Sequence, residues 1–145
     1  MVIISAMQKV YLLCGPPGCG KTWVSEQIEK HFSFVVHDEH PIDVYPVALL
    51  NAARVSDKPV LGNAPFRASV IIKFLKSRNI EVKAIYIVEP YDTVARRFIE
   101  REGREKFSTW HRKNIRHQNL RAETNADFKG TANEVLEYMR GEATA

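Results

Sequence analysis

The apolar run Val10-Tyr11-Leu12-Leu13-Cys14 is unbroken, which predicts a strand covered on both faces. Beyond it, Val24, Ile28 and Phe32 recur four residues apart with Glu26, Gln27, Glu29 and Lys30 on the other side, the spacing of an amphipathic helix. Phe32 to Val36 reads as a second strand that runs into the charged turn His37 to Pro41. Pro46 suits the first turn of a short helix bearing Val47, Leu50 and Ala53, and Ser56-Asp57-Lys58 is a turn before a third strand, Pro59 to Gly62. From Pro65 to Arg78 the residues Phe66, Val70, Ile71, Phe74 and Leu75 form one helical stripe opposite Lys73, Lys76 and Ser77. Val82 to Val88 is a further β-rich run, and Asp92 or Thr93 is placed to cap a helix that buries Val94, Ala95, Phe98 and Ile99.

Ser108 to Ala122 has helical propensity but is polar on nearly every face, so it is expected to stand off the core as a lid, with bounds near 103–124. Ala126 to Phe128 reads as a short last strand, Gly130-Thr131 as turn and cap, and Asn133 to Arg140 as a closing helix with Val135, Leu136 and Met139 inward. Strands alternating with helices imply βαβ units, hence a three-layer α/β/α domain over 1–145 with a parallel sheet of about five strands and a basic helical lid. In such sheets ligands gather beyond the carboxyl ends of the strands. That singles out residues 15–22, 37–40 and 63–67, and Glu89.

The first of these segments carries the most specific chemistry. Gly15-Pro16-Pro17-Gly18-Cys19-Gly20-Lys21-Thr22 fills every fixed position of G-x-x-x-x-G-K-[ST] between a strand and a helix, the setting of a P-loop NTPase fold. Gly15, Gly18 and Gly20, with Cys19 between them, let backbone N–H groups crowd round a polyphosphate. Lys21 reaches the β- and γ-phosphates, and Thr22 is the candidate ligand for Mg²⁺ at a helix N-terminus that favours anions. The expected cofactors are ATP and Mg²⁺.

Phosphoryl transfer further needs a group to orient or deprotonate the acceptor and cations to absorb charge. Asp38, directly after the second strand, is the candidate for the first role, with Glu39 one residue away as its substitute. Asn63 closes the third strand where many P-loop hydrolases carry a metal-binding acid, which counts against a motor or switch ATPase; it and Arg67 are candidate substrate contacts. Arg97 and Arg101 sit four apart on one helix face, Arg101 as the transition-state cation and Arg97 as a phosphate ligand. In the lid, Arg112 and Arg116 share a face near Trp110, a candidate platform for a base.

At 145 residues, 45% apolar and 26% charged, the chain fits one domain with a core of its own. Its net charge of +4 conceals an asymmetry: residues 96–121 hold nine Lys/Arg against three acids, an excess of six, which leaves about −2 for the remainder. Such a block reads as an anion-binding surface. Cys14 and Cys19 both lie at the loop, and no Cys or His pair shows zinc spacing, so reduced thiols are expected. No apolar run reaches the roughly 18 residues of a membrane span, and the first residues lack a secretory pattern, so the expectation is a cytoplasmic protein with no membrane contact and no obligate protein partner.

The loop at Gly15 to Thr22, the acidic turn Asp38-Glu39 and the pair Arg97-x-x-x-Arg101 followed by Gly103 together resemble the small P-loop kinases of the polynucleotide 5′-kinase type, including bacteriophage enzymes. The resemblance implies that Asp38 is the general base toward a hydroxyl and that Arg101 stabilises the transferring phosphoryl. The family's acid after its third strand corresponds to Asn63, and an Arg three residues after its catalytic Asp corresponds to Pro41. The chain also looks like phage kinases acting on a hydroxymethyl group of a modified DNA base. Taken with the basic block, this makes a nucleic acid, DNA before RNA, the preferred acceptor. A free nucleoside, nucleotide or other small metabolite is the alternative acceptor, and a nucleotide-binding module without transfer activity stands beside both.

Overall fold

The computed structural model describes residues 8–31, 34–36, 45–56, 58–64 and 68–144. Strand β1 (Lys9–Cys14) is the centre of a wholly parallel sheet whose order is β2 (Phe34–Val36), β3 (Val60–Ala64), β1, β4 (Glu81–Ile87) and β5 (Phe128–Gly130). The three central strands are long and the two outer ones have three residues each. Alternation along β1 divides the core: Val10, Leu12 and Cys14 face one layer, Tyr11 and Leu13 the other. Helices α2 (Tyr45–Val55) and α3 (Ala68–Lys76) cover the first face. Helices α1 (Lys21–Ile28), α4 (Tyr91–Glu102) and α6 (Ala132–Thr144) cover the second, completing three layers.

Several boundaries move for local reasons. Strand β3 continues to Ala64 because Asn63 and Ala64 still pair with Leu13 and Cys14 of β1. Helix α4 starts at Tyr91, with Pro90 as its N-cap and no side-chain cap bond, so neither Asp92 nor Thr93 has the expected capping role. Val70, expected on the buried stripe of α3, is 54% exposed, while Ile71 and Leu75 carry the packing. The last strand begins at Phe128, two residues later than the expected start. Thr131 and Glu134 then cap α6 reciprocally, Thr131 Oγ1 accepting from Glu134 N–H (3.3 Å) and Glu134 Oε1 from Thr131 N–H (3.0 Å).

The largest correction concerns α5 (Thr109–Asn125), expected to stand off the core. Ser108 caps it in a box with His111, as a helix start there requires. Yet Ile115 is buried in the layer with α1 and α6, and Ala122 in the layer with α2 and α3. Two amides, Asn114 and Gln118, are buried with them and joined by a 3.4 Å hydrogen bond. A stripe of two small or branched residues and two paired amides docks a helix that hydrophobicity alone leaves solvated.

Near the amino ends of the strands, Lys83 Nζ meets Glu142 Oε1 at 2.9 Å, and Tyr138 Oη donates to the same oxygen at 2.9 Å. The Lys83 bond, aided by Tyr138 and outweighing burial, holds the Glu142 carboxyl below its ordinary range, and the same bond holds the Lys83 ammonium above its own. Burial, with Glu142 beside it, pushes the Tyr11 phenol up to about 12. A depressed carboxyl stabilises the fold above its unfolded pKa and loses that contribution as pH falls through the folded value. Glu142→Gln is therefore expected to lower the midpoint of thermal unfolding at pH 7 by about 2–4 °C, as a loss near 1 kcal/mol would, and to flatten its decline below roughly pH 4.5. Melting curves from pH 3 to 8 check this; an unchanged acid limb would remove Glu142 from it.

Candidate active site

Neighbouring strands β1 and β3 send their following helices to opposite faces, so their carboxyl ends open on a crevice. The loop Gly15–Gly20 fills one lip. Its glycines hold φ of 149° (Gly15), 90° (Gly18) and 113° (Gly20), the left-handed half of conformational space. At Gly18 a Cβ would also stand 3.0 Å from Val94 O, so α4 presses directly on the loop. Gly20 is the N-cap of α1 without any side-chain cap bond, and the first helical bond runs from Val24 N–H to Gly20 O. The N–H groups of the opening turn are thus left to a ligand.

Lys21 is buried, and its ammonium folds back into the loop, donating to Gly15 O (2.6 Å) and Pro16 O (2.9 Å) and lying 3.7 Å from Cys19 Sγ. A cation encircled by carbonyls, beside uncapped helical N–H donors, fits a polyphosphate that would replace those carbonyls as its partner. Cys19 is fully buried and, like Cys14, a free thiol. Thr22 is exposed on the cleft wall. Among the described residues there is no group of three or more His, Cys, Asp or Glu that could hold a metal. The oxygen-bearing side chains on this cleft are Thr22, Glu26 and Glu102.

Asn63, expected to touch substrate, is 4% exposed and committed to the protein. Its N–H donates to Tyr45 Oη at 2.7 Å, and its amide lies 3.1 Å from Ser25 Oγ, which is also 2.9 Å from Lys21 O. Ser25 has one hydroxyl proton. With the Asn63 amide turned so that Nδ2 donates to Oγ, that proton goes to Lys21 O and every group is served. Gly62 lets Tyr45 in: a Cβ there would meet Tyr45 Oη at 3.0 Å and Leu49 Cδ2 at 2.7 Å.

A cleft of about 760 Å³ opens from the loop between Gly18, Lys21, Thr22 and Trp23 on one side and Arg97 and Arg101 on the other. A second, of about 340 Å³, continues from Gly20, Trp23 and Arg97 to Glu89, Ala132 and Asn133. The structure thus brings both expected arginines to the loop. Arg97 Nη1 donates to Cys19 O (3.4 Å) and pairs with Glu89 at 3.9 Å, and Glu89 in turn accepts from Ala132 N–H at 2.9 Å. Arg101, instead of standing free for a transferring group, pairs with Glu102 at 3.1 Å with its guanidinium 5.9 Å from the Phe98 ring centroid.

Arg112 and Arg116, expected to bind substrate, lie over the protein's own rings, Phe107 at 5.5 Å and Tyr91 at 4.9 Å. Asp38, Glu39 and Arg67 lie outside the described residues. Trp23 escaped the sequence reading: its 42% exposure beside the loop is foreshadowed only by an aromatic letter on the polar side of α1.

The architecture is a three-layer α/β/α P-loop fold, with the phosphate-loop sequence at the carboxyl end of the central strand. No family model matches the sequence. Over 95% of this chain and 95% of the other, the structure resembles a gluconokinase from Sinorhizobium meliloti 1021 (TM-score 0.66, 15% identity). A tunicamycin resistance protein from Deinococcus radiodurans aligns over 93% and 95% (TM-score 0.69, 16% identity), and shikimate kinase from Acinetobacter baumannii over 97% and 94% (TM-score 0.60, 16% identity). A curated relative, chromosome transmission fidelity protein 18 homolog of Drosophila melanogaster, is 40% identical over an alignment of 55 residues that covers 34% of this chain and 6% of that protein. No helix among the described residues is long and apolar enough to cross a membrane.

Tyr45→Phe would strand the buried Asn63 N–H, at a cost of about 1–3 kcal/mol. Denaturant unfolding is expected to show that loss, with ATP affinity falling in parallel because the loop loses its brace. Unchanged stability would show that the bond carries no weight.

Proposed function

We infer that the chain is an ATP-dependent kinase acting on a hydroxyl of a small molecule. The observation that carries this reading is the buried Lys21 ammonium inside a loop of helical N–H donors, facing two joined clefts. ATP supplies the transferable phosphoryl group, and Mg²⁺ offsets charge on its oxygens. Lys21 and the first turn of α1 hold the phosphates, and Thr22 stands where a metal ligand is needed. Trp23 and Arg97 flank the smaller cleft and offer an aromatic face and a guanidinium plane to a base. Arg101 neutralises charge on the outer phosphate once it exchanges Glu102 for that partner.

For the acceptor proton we assign Asp38, two residues beyond β2, whose Val36 pairs with Gly62 at the crevice. A small acceptor is supported by the substrates that the gluconokinase and shikimate kinase names carry. It is supported again by Arg112 and Arg116, which rest on the protein's own rings. The second reading, a nucleic-acid acceptor of the polynucleotide 5′-kinase kind, is favoured by the exposed charge of α5, where Lys113 is exposed as well. Salt separates the two. Apparent affinity for a polyanion falls steeply between 50 and 200 mM salt, by about 10³-fold or more for several phosphate contacts, whereas a small acceptor responds weakly.

Lys21→Ala is expected to reduce transfer from γ-labelled ATP by about 10²-fold or more, with the fold retained by circular dichroism. Equal labelling by the variant would end the phosphotransfer reading. ATP should quench tryptophan emission in wild type and in Trp110→Phe but not in Trp23→Phe. Quenching that survives Trp23→Phe would place the base elsewhere.

A further inference from the structure

A third cavity, of about 600 Å³, lies on the other side of the carboxyl edge, between the first turn of α3 and one side of α5. Ser69 and Val70 form its α3 wall; Trp110, Asn114, His117 and Arg121 line it from α5. Ser69 follows Ala64 by five residues, and Ala64 pairs with Cys14 at the foot of the phosphate loop, so this wall begins at the crevice. From the opposite side, the Arg121 guanidinium bears on the Tyr86 phenol, easing the upward push that burial gives it. Tyr86 also pairs with Cys14. The cavity is therefore at the same edge as the donor site, reached from the face of α2 and α3.

The lining, which also includes Gln118, holds no carboxylate, and among the described residues no acid forms an ion pair with Arg121. Asn114 is 92% buried, its Oδ1 accepts from Gln118 Nε2, and its Nδ2 has no acceptor among the described residues. The amide pair as a whole offers one donor, Asn114 Nδ2, and one acceptor, Gln118 Oε1, for a hydroxylated anion to meet. The first turn of α3 and the Ser69 hydroxyl add hydrogen-bond donors to the same wall. Val70 and Trp110, both more than half exposed, offer apolar contact to the rest of a ligand, which explains why Val70 leaves the packed stripe of α3.

We propose that this cavity is the acceptor site and that it takes a small hydroxylated molecule bearing an anionic group, held by Arg121 and Asn114. The identity of the site as an acceptor site rests on the phosphotransfer reading; the binding of the anion does not. The shared chemistry is a carboxylate or phosphate monoester on a polyol frame. An acid group gripped by a guanidinium leaves the hydroxyl at the other end of the molecule free to face the crevice.

The test is calorimetric titration of the full chain, without ATP, with D-gluconate and shikimate as carboxylates, ribose 5-phosphate as a phosphate, and D-glucitol, methyl shikimate and ribose as their uncharged counterparts. At least one anion is expected to bind about tenfold more tightly than its neutral counterpart, and Arg121→Gln is expected to remove that advantage while Arg121→Lys restores part of it. Which arm responds tells carboxylate from phosphate. Trp110→Phe, being on the wall, should weaken both members of a pair equally. The proposal is overturned if no anion in the panel binds, if the neutral counterpart binds equally, or if Arg121→Gln leaves the affinity within about twofold.

The same proteins are then assayed with γ-labelled ATP. Anion binding that depends on Arg121 without any transfer would end the kinase reading and leave the anion pocket standing. Transfer with an acceptor KM insensitive to Arg121→Gln, or a changed KM for ATP instead, would end the assignment of this cavity to the acceptor.

Discussion

The geometry of the carboxyl edge depends on one short hydrogen-bonded chain, from Tyr45 through Asn63 and Ser25 to the backbone of Lys21. It adds a directional tie to three elements that otherwise meet only through apolar packing: α2 on one face, the end of β3, and the first turn of α1 on the opposite face. Each link is buried, where an unmet polar group is costly and a met one fixes orientation. The chain determines where Lys21 sits, because Ser25 bonds to the carbonyl of the residue whose ammonium fills the loop. Gly62 is the condition for it, since any side chain there would hold the Tyr45 hydroxyl away from Asn63.

That arrangement also accounts for the neutral residue at position 63. A carboxylate there would be nearly sealed from water, beside a serine hydroxyl that already has a use for its proton, and only a metal ion or the ammonium could balance its charge. The amide satisfies its neighbours without a counter-ion. Among the described residues the ammonium is met by loop carbonyls and the Cys19 sulfur, with no carboxylate on it. The neutral residue at the strand end thus adds no negative charge beside the loop.

The legible parts of the sequence were those in which one local rule decides the outcome. The loop followed from spacing and its setting between strand and helix, the strand Val10 to Cys14 from an unbroken apolar run, and Val82 to Val88 from a β-rich run interrupted by Lys83, because a central parallel strand is covered on both sides. Tertiary context decided the rest. Val70 obeys the periodicity of α3 but faces a cavity, since α5 leaves the space beside it open. Helix α5 looked solvated because its docking surface is two amides with Ile115 and Ala122, and paired amides score as polar although they bury readily once bonded to each other. Arg101, Arg112 and Arg116 were readable as cations, but the partners they choose in the folded chain, a neighbouring Glu102 and two aromatic rings, are set by rotamers that no spacing rule supplies.

Sheet order explains why the two joined clefts and the cavity beside Arg121 lie on different faces. Strand β1 sends α1 to the layer shared with α4 and α6, and every wall of the two joined clefts, including Trp23, Arg97 and Asn133, comes from that layer or from the loop itself. Strand β3 sends α3 the other way, and α5 crosses the edge to meet it, so the cavity beside Arg121 belongs to the opposite layer. The crossing of α5 from one layer to the other is anchored by Ile115 and Ala122. Between them Asn119 Nδ2 donates to Glu89 O at 3.3 Å, and the Glu89 carboxylate pairs with Arg97 at 3.9 Å beside the loop.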